Sequence, residues 1–119
     1  MLDTIEIKAF VPAKDYELSK QFYQDLGFKL CSTSPEVTYF SYGHCSFLLQ
    51  SFYVAELAEN LMMHLQVKDV EAWWQHVQSS GVAEKYGTRF VPPTDQPWRM
   101  RDFIVIDPSG VMWRIGQNI

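Results

Sequence analysis

Chemistry in this chain of 119 residues would have to come from three histidines, two cysteines and a set of tryptophans. His44 directly precedes Cys45, a poor geometry for a base acting on its neighbour's thiol, and no Ser/His/Asp arrangement shows a local signature. No catalytic residue is assigned. His44 falls in a turn, His76 on a helical pattern and His64 on a strand pattern beside Gln66, so no two histidines are brought together as metal ligands. Trp73 lies on a helical apolar stripe and Trp113 on the helix-facing side of a strand, both core positions, while Trp74 is one step round its helix. Trp98 differs: it follows a proline-rich stretch and has no amphipathic spacing. Its ring either caps a sheet edge or stacks on a planar ligand, with Tyr39, Phe40, Phe52 or Tyr53 as companions.

Composition narrows the partners. Aromatic residues make up 15% of the chain, enough for both a core and a stacking pocket. The net charge is −4 with no basic run, so a phosphate-tracking nucleic-acid role has no electrostatic support. No apolar stretch approaches a membrane span, and no membrane partner is expected. Cys31 and Cys45 have no CxxC spacing, and the opening MLDTIEIKAF lacks a basic region followed by an apolar one. A cytoplasmic protein with reduced thiols is the expectation.

The elements that must position these residues come as a repeat. The first copy opens with a strand over Ile5–Val11, followed by Asp15 as N-cap of a helix carrying Leu18, Phe22 and Leu26 and stopping at Gly27. The second opens with Met62–Val67, then Asp69 as N-cap of a helix carrying Val70, Trp73 and Val77 and stopping at Gly81. Strands are expected at 28–33, 37–42 and 45–51 in the first copy, with a tight hairpin at Tyr42-Gly43-His44. In the second they are expected at 85–91, 102–107 and 111–117, with a turn at Asp107-Pro108-Ser109-Gly110. Pro92–Met100 reads as an inserted loop, and 51–60 as a joint with a short helix around Val54–Leu57. The fold class is therefore α+β: two tandem βαβββ units, 1–53 and 61–119, in a single domain, whose curved sheets enclose a cleft.

Two stretches carry a resemblance. Val11-Pro12-Ala13-Lys14-Asp15, Ser19 and Phe22-Tyr23, closing on Leu26-Gly27-Phe28, resemble the opening of vicinal-oxygen-chelate proteins (glyoxalases, bleomycin resistance proteins and dioxygenases). Pro97-Trp98-Arg99-Met100-Arg101-Asp102-Phe103 with Asp107-Pro108-Ser109-Gly110 resembles the closing hairpin of the bleomycin-resistance branch, with Arg99 where that branch usually has glycine. The resemblance implies a ligand cleft and a homodimer in which units of two chains complete each cleft. It also implies where metal-dependent members place their ligands: Glu6, Phe47, Met62 and Arg114. These do not form a ligand set, because a guanidinium adds positive charge where the ion must sit. No metal and no cofactor are expected. A shift of two positions on its strand would bring in His64 instead.

Strand alternation then gives the cleft lining. Glu6, Lys8 and Phe10 point one way from the first strand, with Phe47 and Leu49, Met62, His64 and Gln66, and Met112 and Arg114 expected on the same surface; a Glu6–Arg114 ion pair would bridge the halves. With Trp98 at the mouth, these residues suit a small organic ligand, aromatic or cationic. The expectation is a metal-free binding protein that sequesters such a molecule, an antibiotic among the candidates, as the bleomycin-resistance branch does. Two alternatives stay open: a lyase or isomerase of the same superfamily with a relocated or absent metal site, and a metabolite-sensing or partner-binding module. The cleft side chains filling it themselves is the plainest outcome.

Overall fold

In the computed structural model, which describes residues 2–119, both helices of the repeat begin and end where their caps place them. The Asp15 side chain accepts a hydrogen bond from Leu18 N at 3.1 Å, and Asp69 accepts one from Ala72 N at 3.1 Å. Each bond satisfies an amide that the first turn leaves without a partner. Helix α1 covers Tyr16–Leu26 and ends on Gly27 with φ 113°; helix α3 covers Val70–Ser80 and ends on Gly81 with φ 70°. Both glycines take the left-handed conformation that closes a helix. The buried stripe of α1 is Ser19, Phe22, Tyr23 and Leu26. Leu18, expected on it, is exposed, because the stripe is rotated toward Tyr23.

Strands β1 (Phe10–Pro12), β2 (Lys29–Thr33), β3 (Val37–Tyr42) and β4 (Cys45–Gln50) form one sheet in the order β1-β4-β3-β2. The short helix α2 (Ala55–Ala58) links it to the second unit. There β5 (Met62–Gln66), β6 (Phe90–Gln96), β7 (Met100–Ile106) and β8 (Met112–Asn118) form the order β5-β8-β7-β6. In each sheet the first strand runs parallel to the last, and the other neighbours are antiparallel. The architecture is the α+β fold of two tandem βαβββ units.

Three expectations need correction. The first strand does not run from Ile5: pairing begins at Phe10, and Ile5 and Ile7, expected against the helix, are exposed at 98% and 95%. The segment 85–91 is not a strand throughout, since Val82–Tyr86 forms helix α4, bracketed by left-handed Gly81 and Gly87. Ala, Glu and Lys favour a helical turn there over an extended chain. The proline-bearing segment is not a loop, since Pro92 and Pro93 lie inside β6. That strand is the edge of its sheet and shifts register between Val91 and Thr94, which accommodates residues without a backbone N–H. Arg99 has φ 64°, so an arginine takes the left-handed turn position between β6 and β7.

One core joins the units. Trp113 of β8 packs on Tyr23, Phe28 and Phe47 with ring centroids 5.7, 5.6 and 5.2 Å apart. Lys14 N also donates to Ser109 Oγ across the two units at 2.9 Å. The helix-side faces of the sheets are thus used up on each other and on the helices. The opposite faces stay open.

Candidate ligand-binding faces

On the second sheet, the open face is built around Arg114. Its neighbours in register are His64 on β5 and Ile104 on β7. One guanidinium nitrogen, Nη1, donates to both carboxylate oxygens of Asp102, at 3.1 and 3.0 Å. Asp102 is only 2% exposed and also accepts from Gln96 Nε2 at 3.0 Å. A buried carboxylate is stable only when paired and hydrogen-bonded in this way. Gly116 makes the arrangement possible: a Cβ there would stand 2.9 Å from Asp102 Cβ, so only glycine lets Asp102 cross the strand to Arg114.

The guanidinium carbon in turn lies 5.5 Å from the centre of the Trp98 ring, within cation–π range. Trp98 is 54% exposed, so it is held from one side and open to solvent on the rest. Met62, Met112, Ile104 and Ile106 extend the face as a largely apolar surface, with Met62 53% exposed. His64 and Gln66 are exposed on the same face.

The open face of the first sheet carries Phe10 (exposed), Tyr39, Ser46 and Leu48. Glu6 reaches it from the unpaired N-terminal arm, accepting from Ser46 Oγ at 2.7 Å, from Tyr39 OH at 2.9 Å and from Lys8 Nζ. Those three donors, Lys8 foremost, hold its carboxyl down to about 2. The Glu6–Arg114 pair expected from the sequence does not form: Glu6 is engaged by Lys8 and Arg114 by Asp102. Phe47 and Leu49 are also not on this face. Both are buried, and Phe47 packs between Tyr23, Phe28 and Phe40, because it is the odd positions of β4 that point to the helix.

Among the described residues no hydrogen bond, ion pair or ring contact links the two open faces. Where the units meet, a groove of about 400 Å³ runs between the Tyr42–Cys45 hairpin and the start of α3, walled by Tyr42 and Trp73 with ring centroids 4.7 Å apart. A second groove of about 180 Å³ adjoins it and is lined by Ser46, His64, Gln66 and Trp113 among others. Of the predicted residues, His64, Gln66, Met62 and Arg114 share one face with Trp98. Glu6, Lys8 and Phe10 belong to the other sheet. Sequence reading missed Asp102, Gln96 and Gly116; a lone Asp entering the apolar run Phe103–Ile106 was the available signal.

A divalent cation is not suited to these residues. Met62 offers a thioether, Phe47 is in the core, Arg114 brings a positive charge, and Glu6 is neutralised by Lys8. Among the described residues no three His, Cys, Asp or Glu side chains gather. His76, the other histidine near the seam, is engaged with the Leu26 carbonyl at 2.7 Å and ties α3 to the end of α1.

A fold of two βαβββ units with open, ligand-sized faces defines a class, and the family model confirms it. The chain belongs to the Glyoxalase/Bleomycin resistance protein/Dioxygenase superfamily, whose model matches residues 3–115. No curated protein matches it in sequence. Among solved structures it is similar to a bleomycin-binding protein complexed with bleomycin (22% identity, 98% of this chain and 100% of that one, TM-score 0.83). It is also similar to TnmS3, an antibiotic-binding protein from Streptomyces sp. CB03234 (22% identity, 100% of both chains, TM-score 0.76). A lactoylglutathione lyase from Agrobacterium tumefaciens superposes less closely (16% identity, 97% and 95%, TM-score 0.67). At these identities the likeness concerns the fold, which serves binders and an enzyme alike.

Proposed function

We propose that this protein binds a planar aromatic organic molecule, without a bound metal and without chemical conversion, and so sequesters it. The observation that carries the reading is Trp98: an exposed ring, braced by Arg114 and through it by buried Asp102, on an apolar sheet face. An indole held in position stacks on a ligand without first losing conformational freedom, which is how aromatic anchors gain their energy. The similar structures named for bleomycin and antibiotic binding support the same class of use. A cationic ligand has less support, because Glu6, the carboxylate nearest an open face, is already matched by Lys8. Open faces on both sheets further support pairing of two copies, the first unit of one covering the second unit of the other.

The test is a titration of bleomycin, other glycopeptides and planar aromatic compounds, followed by Trp fluorescence and thermal shift. A ligand at a hundred times its Kd raises stability by about 2.7 kcal/mol. Trp98→Ala is expected to weaken binding by about 1 kcal/mol or more and to leave the fold intact, since the ring is in a turn. Binding of nothing tighter than about 1 mM, with Trp98→Ala costing stability instead, would show that the face is structural.

A further inference from the structure

Bracing Trp98 and pairing with Asp102 leave part of Arg114 unused. Its guanidinium has five N–H donors, and both hydrogen bonds it makes are from Nη1 to Asp102. Among the described residues nothing accepts from Nε or Nη2. Those two nitrogens form one planar edge of the fork, the edge whose spacing matches the two oxygens of a carboxylate. That edge is also already oriented. Asp102, 2% exposed, fixes one end of the group, and the Trp98 ring at 5.5 Å lies over the guanidinium. An exposed arginine loses rotamer freedom when it closes on a ligand; this one, with its side chain 20% exposed, has lost it in folding.

The surroundings select what such an edge takes. Beside Arg114 in register stand Ile104 and His64, and along β8 stands Met112. Met62, in register with Met112, continues the apolar strip. Asp102 is the carboxylate on this patch, and Arg114 and Gln96 both engage it, so no free negative charge opposes an incoming anion. An oxyanion next to a flat apolar body fits both halves, with thioethers and isoleucines under the body. The geometry points to an aryl carboxylate as the class of molecule this face takes, its ring on the Met62–Met112–Ile104 strip and its carboxylate held side-on by Nε and Nη2 of Arg114. The inference rests on the second sheet's open face being the ligand site.

Two probes that share a ring separate the inference from that reading: 2-naphthoate and its uncharged counterpart 2-naphthamide, titrated by calorimetry. The wild-type protein is expected to bind the acid about tenfold or more tightly than the amide, the discrimination of one charge-assisted pair. Arg114→Lys keeps a cation against Asp102, and therefore the fold, but has no planar edge; the preference for the acid is expected to shrink several-fold. The double variant Asp102→Asn with Arg114→Gln leaves no buried charge unmatched and is expected to bind acid and amide alike, both probes losing equally whatever the Arg114 brace of the Trp98 ring contributes. Equal binding of the two by the wild-type protein, or a preference for the acid that survives in the double variant, overturns the inference and leaves the sequestration reading standing. Binding of neither probe overturns the inference, and the sequestration reading falls with it only if bleomycin and the other planar compounds also fail to bind.

Discussion

At the scale of single residues, the most consequential group outside the candidate ligand face is Tyr23. It is wholly buried, donates to Asp107 Oδ2 and accepts from Trp113 Nε1 at 2.9 Å. Burial, with the Asp107 charge beside it, pushes its phenol well above the ordinary tyrosine range, so it stays a donor throughout the physiological range. Burial also raises Asp107, against the hydrogen bonds that oppose the shift. The same carboxylate accepts from Ser109 N and Val111 N, both at 2.9 Å, and so shapes the turn that leads into β8. One hydroxyl from the first unit thus holds a strand and a turn of the second. Tyr23→Phe keeps the ring and leaves a buried indole N–H and a buried carboxylate oxygen without a partner. The expected loss is about 1–3 kcal/mol, larger than for a typical surface tyrosine, and chemical denaturation measures it. An unchanged midpoint would mean that water replaces the hydroxyl.

At the scale of elements, the N-terminal arm is the piece that does not follow the repeat. Residues 5–9 have the sequence of a strand, alternation included, but only Phe10–Pro12 pairs with β4. The arm's attachment to the rest of the chain is polar: Glu6, with Lys8 beside it, accepts from Ser46 and Tyr39, and the Ala9 carbonyl accepts from Leu48 N at 3.0 Å. Because the folded Glu6 titrates near 2, below its ordinary 4.5, the Glu6 part of this attachment is fully present above about pH 4.5 and is lost as pH falls from there toward 2. Proteolysis of the arm is therefore expected to accelerate between pH 4.5 and 3 in an acid-active protease assay, and Glu6→Gln to remove that pH dependence. A flat profile would mean that the arm is held by something else. The same element shows what sequence could and could not give. Caps and hairpins were legible because they depend on near neighbours: Asp15, Gly27, Asp69, Gly81 and the Gly43-His44 turn all sit as read. The start of β1, the edge position that tolerates Pro92 and Pro93, and the facing of Phe47 were not, because each depends on which strand lies alongside. On the second sheet's open face, alternation placed Arg114, His64 and Met62 together, and Trp98 was singled out by its lack of amphipathic spacing after the prolines, whereas Asp102 was hidden until Gly116 was seen opposite it.

At the scale of the whole molecule, the chain leaves several large apolar side chains uncovered. Ile5 and Ile7 stand out on the arm, Phe10 is half exposed on one open face, and Met62 and Trp98 are half exposed on the other. None of them joins the core within the chain, which the helix-side faces fill with Phe47 and Trp113. A second copy offers the complementary pair: its second-sheet face can cover the first-sheet face of its partner, and the two-fold axis repeats the contact. In such a dimer two equal clefts would result, each bounded by Phe10 and Leu48 from one chain and by Trp98, Arg114 and Met62 from the other. The expected species at micromolar concentration is a dimer of twice 13.9 kDa by light scattering. Ile5→Glu with Ile7→Glu places charge on the arm without touching either face, so a dimer that uses the arm is expected to dissociate with the monomer fold retained by circular dichroism. Ligand affinity is then expected to fall with the dimer, because each cleft loses one wall. A wild-type protein that scatters as a monomer would rule out clefts built from two chains. The faces would then have to bind their ligand singly, with Trp98 and Arg114 as the whole of the site.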